Sequence, residues 1–325
     1  MSSLSEQKQI AKKEVAIYQH PNCGVIELTG EDSLQFLHNQ TTNDIKNLKP
    51  GQGCHTVFLN ATARTLDLAT VYITQDRVFL LVSPNRTQFL MEWLDKYLFP
   101  MDQVKLNNVS EEYTVLTLSG EKSSDLLSQL GVSPLVEQSF ASHEMTTIND
   151  IPVRIAVGTG LALAGYTLLV SASQASALQE TIANAGATPI AEEVWQQLTL
   201  EQGRPLPDYE LTEDYNPLEA GLCEAISFDK GCYIGQETIA RLNTYKGVKQ
   251  RLWGINLSQT VDPETPITVE GKKVGKLTRV LETEEGVKGL GYIRTKAGGE
   301  GLEVEVGDAK GEVVAVPFLT HEYHE

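Results

Sequence analysis

Short apolar runs punctuated by glycine turns and followed by helical stripes run through the first two thirds of the chain. Val25 to Leu28 is such a run, closed by Thr29-Gly30-Glu31-Asp32-Ser33 and followed by Leu34, Phe36 and Leu37. This pattern predicts a strand, a turn and a helix, with Thr29 as N-cap and Asp32 returning the bond in an acidic variant of the capping box. The phrase recurs where Val115 to Leu118 leads through Ser119-Gly120-Glu121 to Leu126, Leu127 and Leu130. Two copies predict a pseudo-repeat, since a solenoid stacks three or more.

Between and after the copies, His55 to Asn60, Thr65 to Thr74, Val78 to Ser83, a segment near Val153, and Tyr166 to Val170 read as strands. Gln75-Asp76-Arg77 supplies a hairpin turn, and helices are expected over Asn85 to Leu98, Gln174 to Ala185 and Ala191 to Gln202. Mixed short strands and helices predict an α+β body rather than a regular β-α-β winding. The texture changes after Tyr245. Trp253, Ile255 and Leu257 alternate with polar residues, and strands follow at Ile267 to Val269, Val274 to Leu281, Gly289 to Ile293, Leu302 to Val306 and Val313 to Pro317. Strands at this spacing predict a small β-barrel or sandwich over 246–325, after an α+β region over 1–245.

The net charge of −17, from 43 acidic and 26 basic side chains among 325 residues, repels phosphate backbones and anionic lipid. Direct nucleic-acid or membrane binding is therefore not expected. Lys246, Lys249 and Arg251 are the one modest basic group, and a solvated strand edge accounts for them. The most apolar stretch, Val153 to Val170, carries Arg154 and three glycines, so it reads as two strands around a turn and not as a membrane span. Met1 to Lys13 is polar without an apolar signal core, which predicts a cytoplasmic chain with reduced thiols. Cys23, Cys54, Cys223 and Cys232 form no C-x-x-C pair and have no histidine at zinc spacing, so no metal site is expected.

The most specific segment is Phe228-Asp229-Lys230-Gly231-Cys232-Tyr233-Ile234-Gly235-Gln236-Glu237. It places a thiol between glycines, two residues from a lysine, before a short helix expected from Gln236 to Leu242. Glycines open the backbone, and a cation or helix start favours the thiolate, so the surroundings of Cys232 suit chemistry better than packing. Lys230, Arg241 and the helix start are the candidate activators. Cys23, Cys54 and Cys223 are assigned to packing, as are Trp195 and Trp253. Tyr233 and Ile234 read as packing residues, and Gln236 and Glu237 as helix-capping candidates.

The segment resembles the K-G-C-[FY]-x-G-Q-E signature of the YgfZ-type folate-binding proteins, relatives of the aminomethyltransferase (T-protein) of the glycine cleavage system. The resemblance extends over most of residues 20 to 320. It implies interwoven N-terminal α+β subdomains around a central folate cavity, then a small C-terminal β-barrel. Leu200-Glu201-Gln202-Gly203 is similar to the T-protein L-E-x-G segment, whose glutamate recognises the pterin ring; a carboxylate accepts parallel hydrogen bonds from an amino group and the adjacent ring N–H. On residues alone, Glu201 is a solvated helix-end side chain. Asn60 and Asp67 fall on the N-x-x-G-G-x-x-D-D-L pattern, where an aspartate acts near the folate nitrogens as general acid or base. By composition alone, Asp67 is equally an exposed strand residue, and Asn60 a turn former.

Four departures separate the chain from that enzyme; Ala63 and Arg64 replace the paired glycines, Leu68 replaces the second acid, and Thr199 replaces the arginine before L-E-x-G. The G-Y-T-G-E run is reduced to Gly165-Tyr166-Thr167-Leu168-Leu169. The resemblance implies an accessory protein that binds tetrahydrofolate or a one-carbon derivative and supports assembly or repair of iron-sulfur enzymes, with indirect effects on tRNA modification. Its partners would be iron-sulfur client enzymes or assembly proteins. Cys232, with Lys230 beside it, remains open as nucleophile, redox thiol or cluster ligand. The alternatives are a folate-dependent aminomethyltransferase or methyltransferase and a non-catalytic folate-sensing scaffold.

Overall fold

A computed structural model of the chain describes residues 3–133, 135 and 138–324. Met1 and Ser2 of the polar N-terminal stretch lie outside the described residues. Contacts divide the chain into two units, 1–56 with 69–195, and 57–68 with 196–325.

In the first unit the N-terminal stretch forms a helix, α1 (Leu4–Lys13), which sequence periodicity missed; the Ser3 hydroxyl caps it by accepting from the Glu6 N–H at 3.1 Å. Strand β1 (Ala16–Gln19) follows. The first repeat is β2 (Gly24–Thr29), α2 (Ser33–Gln40), β3 (Gly53–Leu59), β4 (Thr65–Ile73), β5 (Val78–Val82) and α3 (Thr87–Asp95), followed by β6 (Lys105–Asn108). The second is β7 (Tyr113–Ser119), α4 (Ser123–Gln129), β8 (His143–Ile148), β9 (Ile151–Val157), β10 (Gly165–Ser171) and α5 (Ala175–Asn184), followed by β11 (Thr188–Pro189). Helix α3 starts later than its pattern predicts because Asn85 takes a left-handed φ of 62°.

The sheet orders expose the repeat. One sheet runs β3-β4-β5-β2-β6, and the other β8-β9-β10-β7-β1-β11. The first four strands match copy for copy, and each sheet gains a strand from just before the other copy: β6 pairs with β2 as an edge, and β1 pairs with β7 and carries β11 outside it. The subdomains are thereby interwoven. Val25, Tyr72, Phe79 and Leu81 of one sheet pack on Val115, Ala156 and Leu169 of the other. On the outer face of the second sheet, Ile17, Leu118 and Leu168 meet Leu126, Leu127, Leu178 and Ile182 of its helices. Each such buried side chain contributes about 1.5–3 kcal/mol relative to exposure.

The capping box is not formed. Asp32 is the N-cap residue of α2 but makes no side-chain bond to the helix; its carboxylate accepts from the Gln103 N–H at 2.9 Å. The turn is made instead by Gly30 at φ 109°, where a Cβ would lie 2.0 Å from the Gln103 carbonyl oxygen. The second copy repeats this device, with Gly120 at φ 122° and a Cβ position 2.1 Å from the Glu14 oxygen. Backbone approach at these turns, which only glycine permits, replaces side-chain capping.

The second unit carries α6 (Glu192–Gln202), which begins in the first unit, α7 (Gln236–Thr244), and strands β12 (Gln250–Leu257), β13 (Pro266–Val269), β14 (Lys272–Thr283), β15 (Gly286–Arg294), β16 (Glu303–Val306) and β17 (Ala309–Val314). The six strands close into a barrel in the order β12-β15-β14-β13-β16-β17, which decides the barrel-or-sandwich alternative. Ile255, Ile267, Leu277, Ile293, Val306 and Val313 fill it. The last strand ends at Val314, short of the predicted Pro317; proline cannot donate to a ladder, and the Phe318 N–H bonds the Gln202 carbonyl at 2.8 Å.

Glu210 fastens the 204–211 segment to the barrel. It is fully buried; Oε1 accepts from Thr278 Oγ1 (2.7 Å) and Arg279 Nε (3.3 Å), and Oε2 accepts from the Leu206 N–H (3.0 Å) and faces Arg279 Nη2 (3.2 Å). All of its charge is matched by directed donors, the condition under which a buried ion pair is stable. Arg251 of the modest basic group donates to the His321 carbonyl and covers the Tyr323 ring at 5.0 Å, whereas Lys246 and Lys249 are exposed. Among the described residues no helix is long and apolar enough to cross a membrane.

Candidate functional site

All the sequence-predicted site residues fall in the second unit. Asn60 and Asp67 lie on the hairpin 57–68, Glu201 near the end of α6, and Lys230 to Glu237 on the loop and helix start that follow the 3-10 turn at Cys223–Ala225. Val57, Leu59, Leu68, Leu200, Tyr233, Ile239 and Tyr292 share one apolar cluster, so hairpin, helix end, thiol loop and barrel wall stand on a common base.

Cys232 and its neighbour Gly231 are exposed, while Cys23, Cys54 and Cys223 are half-buried, and none of the four is in a disulfide. Burial pushes the Cys223 thiol above the ordinary range. The loop ends at Gly235, which takes φ 82° as N-cap of α7. A Cβ there would lie 3.0 Å from Ala63 Cα and 3.1 Å from the Asn60 carbonyl oxygen, so the thiol loop presses on the hairpin turn. Ala63 itself holds a left-handed φ of 62°, although its side chain lacks glycine's freedom. Gln236 and Glu237 lie in the first turn of α7, whose N-cap residue, Gly235, makes no side-chain capping bond.

Lys230 is buried and not solvated. Its ammonium lies 4.8 Å from the centroid of the Tyr233 ring, a cation–π contact strengthened by desolvation. The Tyr233 hydroxyl is pushed well above its ordinary value by burial, so the ring serves as a neutral platform. Asn60 acts as the turn former: its side-chain oxygen accepts from the Thr62 N–H (3.0 Å), the Thr62 hydroxyl (2.8 Å) and the Arg64 N–H (3.0 Å). Its amide nitrogen reaches Glu213 at 3.4 Å.

The exposed-strand reading of Asp67 fails. The residue is fully buried on β4, with Oδ1 accepting from the Leu68 N–H at 2.9 Å. The solvated reading of Glu201 fails as well. Its side chain is 6% exposed, and Oε1 lies 3.3 Å from Lys288 Nζ, which also stands 3.4 Å from Glu285 Oε2. Sequence reasoning missed Lys288 because its partner lies far away in the chain and nothing local on β15 marks it. Glu219 was also missed. Burial raises its carboxyl above the usual range, and Oε2 accepts from the Asn216 N–H at 3.0 Å with Arg64 at 3.7 Å. The Asn216-Pro217-Leu218-Glu219 run is a legible turn signal for that exchange, since Asn216 Oδ1 accepts from the Leu218 and Glu219 N–H groups.

Gly165 to Leu169, which stand where G-Y-T-G-E is reduced, start β10 within the strand predicted over Tyr166 to Val170, and β10 pairs along its length with β7. Thr199 is buried within α6, and its carbonyl accepts from the Arg204 N–H at 3.0 Å. A cavity of about 570 Å³ in the first unit, lined in part by Gln19, His20, Asn108 and Tyr113, holds none of the predicted site residues. Trp195 stacks on Tyr18 at 4.8 Å and Trp253 packs against the barrel core, as expected of packing residues.

Glu201 thus presents a buried carboxylate beside an ammonium, and Cys232 an exposed thiol on a loop braced against the hairpin turn. The chain belongs to the GCVT N-terminal domain family, whose pattern matches residues 2–230. Among its relatives, a chloroplastic protein of Arabidopsis thaliana, provisionally named a transferase, is 41% identical over 95% of this chain and 72% of its own length. The aminomethyltransferase of Halalkalibacterium halodurans is 26% identical over 98% of this chain and 90% of its own. The crystal structure of the glycine cleavage system aminomethyltransferase T of Bartonella henselae superposes with a TM-score of 0.84 at 19% identity, covering 99% of this chain and 91% of that one. The T-protein-like fold is therefore shared.

Proposed function

We propose that the chain is a YgfZ-type tetrahydrofolate-binding accessory protein that supports iron-sulfur enzymes through Cys232, and so acts indirectly on tRNA modification. The observation that carries the reading is the buried Glu201 carboxylate, compensated by Lys288 and therefore available as an acceptor at little desolvation cost. The donor set fits the cofactor: a carboxylate on a rigid helix end matches the amino and ring N–H pair of a pterin. Folate would supply a carrier for a one-carbon unit. Glu201 would hold its ring, Asp67 would hold or move a proton at the ring nitrogens, and Asn60 would brace the hairpin. The exposed Cys232 would meet the client, with Lys230 and Tyr233 positioning its loop.

Titration calorimetry with tetrahydrofolate on wild type, Glu201→Ala and Cys232→Ala tests this division of labour. Binding should weaken at least tenfold for Glu201→Ala and persist for Cys232→Ala. In cells lacking the native copy, Cys232→Ser should fail to restore iron-sulfur client activity; full restoration would end the thiol assignment.

Retention of Asp67, together with the names of the bacterial relatives, favours a second reading, a folate-dependent aminomethyltransferase. It requires methylenetetrahydrofolate to form with a lipoylated carrier as donor, and no product in that assay removes it.

A further inference from the structure

We propose that Lys288 sets the charge preference of the Glu201 anchor, so that the site selects a neutral 2-amino-4-oxo ring over a protonated 2,4-diamino ring of the same shape. The inference rests on the reading of Glu201 as ring anchor and goes beyond it by naming what the anchor discriminates. An isolated buried carboxylate attracts a cation strongly, because little water screens it. Here the ammonium of Lys288 stands 3.3 Å from Glu201 Oε1, so an incoming cation meets a nearly neutral pair and a like charge at its edge.

Neutral donors face no such repulsion, and Glu285 explains why they can engage the carboxylate. Its Oε2 lies 3.4 Å from the same ammonium, on a side chain that is 37% exposed against 6% for Glu201. The turn that presents Glu285 is fixed: the Thr283 hydroxyl accepts from the Glu285 N–H at 3.1 Å and donates to the Gly286 carbonyl at 2.8 Å. A ring that takes the Glu201 oxygen leaves Lys288 paired with Glu285, so no buried charge is stranded. One lysine shared by two carboxylates thus serves as a counter-ion that steps aside without leaving.

The test measures affinities at pH 6 for folic acid and for its 4-amino analogue, which takes up a proton at an isolated carboxylate, on wild type, Lys288→Met, Lys288→Arg and Glu285→Gln. Wild type and Lys288→Arg should prefer the oxo ligand. Lys288→Met should shift the affinity ratio at least tenfold toward the diamino ligand, with that affinity rising as pH falls. Glu285→Gln should weaken the oxo ligand several-fold while keeping the wild-type preference, and it carries the test if Lys288→Met does not fold. Binding of both ligands to Lys288→Met with an unchanged ratio overturns the role of Lys288 and leaves the anchor standing. Failure of wild type to bind either ligand overturns the anchor, and this inference with it.

Discussion

His143 makes the first unit acid-sensitive. It is 4% exposed on β8, and Arg154 Nη1 donates to its Nδ1 at 2.8 Å, which fixes the proton of the neutral ring on Nε2. Burial, and then the neighbouring Arg154 charge, push the imidazole down to about 4. In the unfolded chain it titrates near its ordinary value of about 6.5. Between these values the unfolded state binds a proton that the folded state refuses, so stability rises with pH across the window. The contribution is complete above about pH 6.5 and is lost as pH falls through about 4. At about 1.4 kcal/mol per pH unit, the full span is worth about 3 kcal/mol, of which about 2 kcal/mol is lost between pH 7 and pH 5. Urea midpoints of wild type and His143→Gln at pH 7, 6 and 5 isolate this slope: the wild-type curve should fall more steeply by that amount. A His143 ring titration by NMR near 6.5, or parallel slopes for the two proteins, would refute the reasoning.

His321 in the second unit is likewise pushed down to about 4, by burial and then by Arg251, so its stabilisation also fades as pH falls from about 6.5; a His321→Gln variant should flatten a separate part of the acid profile. Glu210→Ala should cost about 3–5 kcal/mol in chemical denaturation, because it leaves the Arg279 guanidinium buried without its carboxylate. Gly30→Ala and Gly120→Ala should each cost about 2–4 kcal/mol, from left-handed backbone strain plus a clash with a carbonyl oxygen, and by similar amounts because the turns are equivalent; a large difference between them would break that equivalence. Gly235→Ala should cost about 1–2 kcal/mol and slow the reaction of Cys232 with a thiol reagent, read by absorbance, since the new methyl would push the loop off Ala63.

Much of the architecture was legible in the sequence because its signals are local. The apolar strand of each repeat, its glycine turn and the paired leucines at Leu126 and Leu127 mark both copies, and alternation at Ile255 and Leu257 marks the barrel. What escaped is settled at a distance. Strand β6 reads Lys-Leu-Asn-Asn and is largely exposed, so its pairing with β2 leaves no apolar period. Strand β1 is only four residues long, too short to show a period, yet it joins the other sheet between β7 and β11. At the site, the motif around Cys232 reveals the loop and α7 directly, and the structure adds the brace at Ala63. The burial of Asp67 and the Lys288 partner of Glu201 follow from packing and barrel register, which no window of residues encodes.

The exchange of β1 and β6 between the two repeats has a consequence during synthesis. As the chain leaves the ribosome, β1 emerges first and waits for β7, while β2 presents a bare edge until residues 105–108 arrive. Neither repeat can finish alone, so a nascent fragment that stops between them exposes strand edges to other chains, and the two halves must lock together in a single late step.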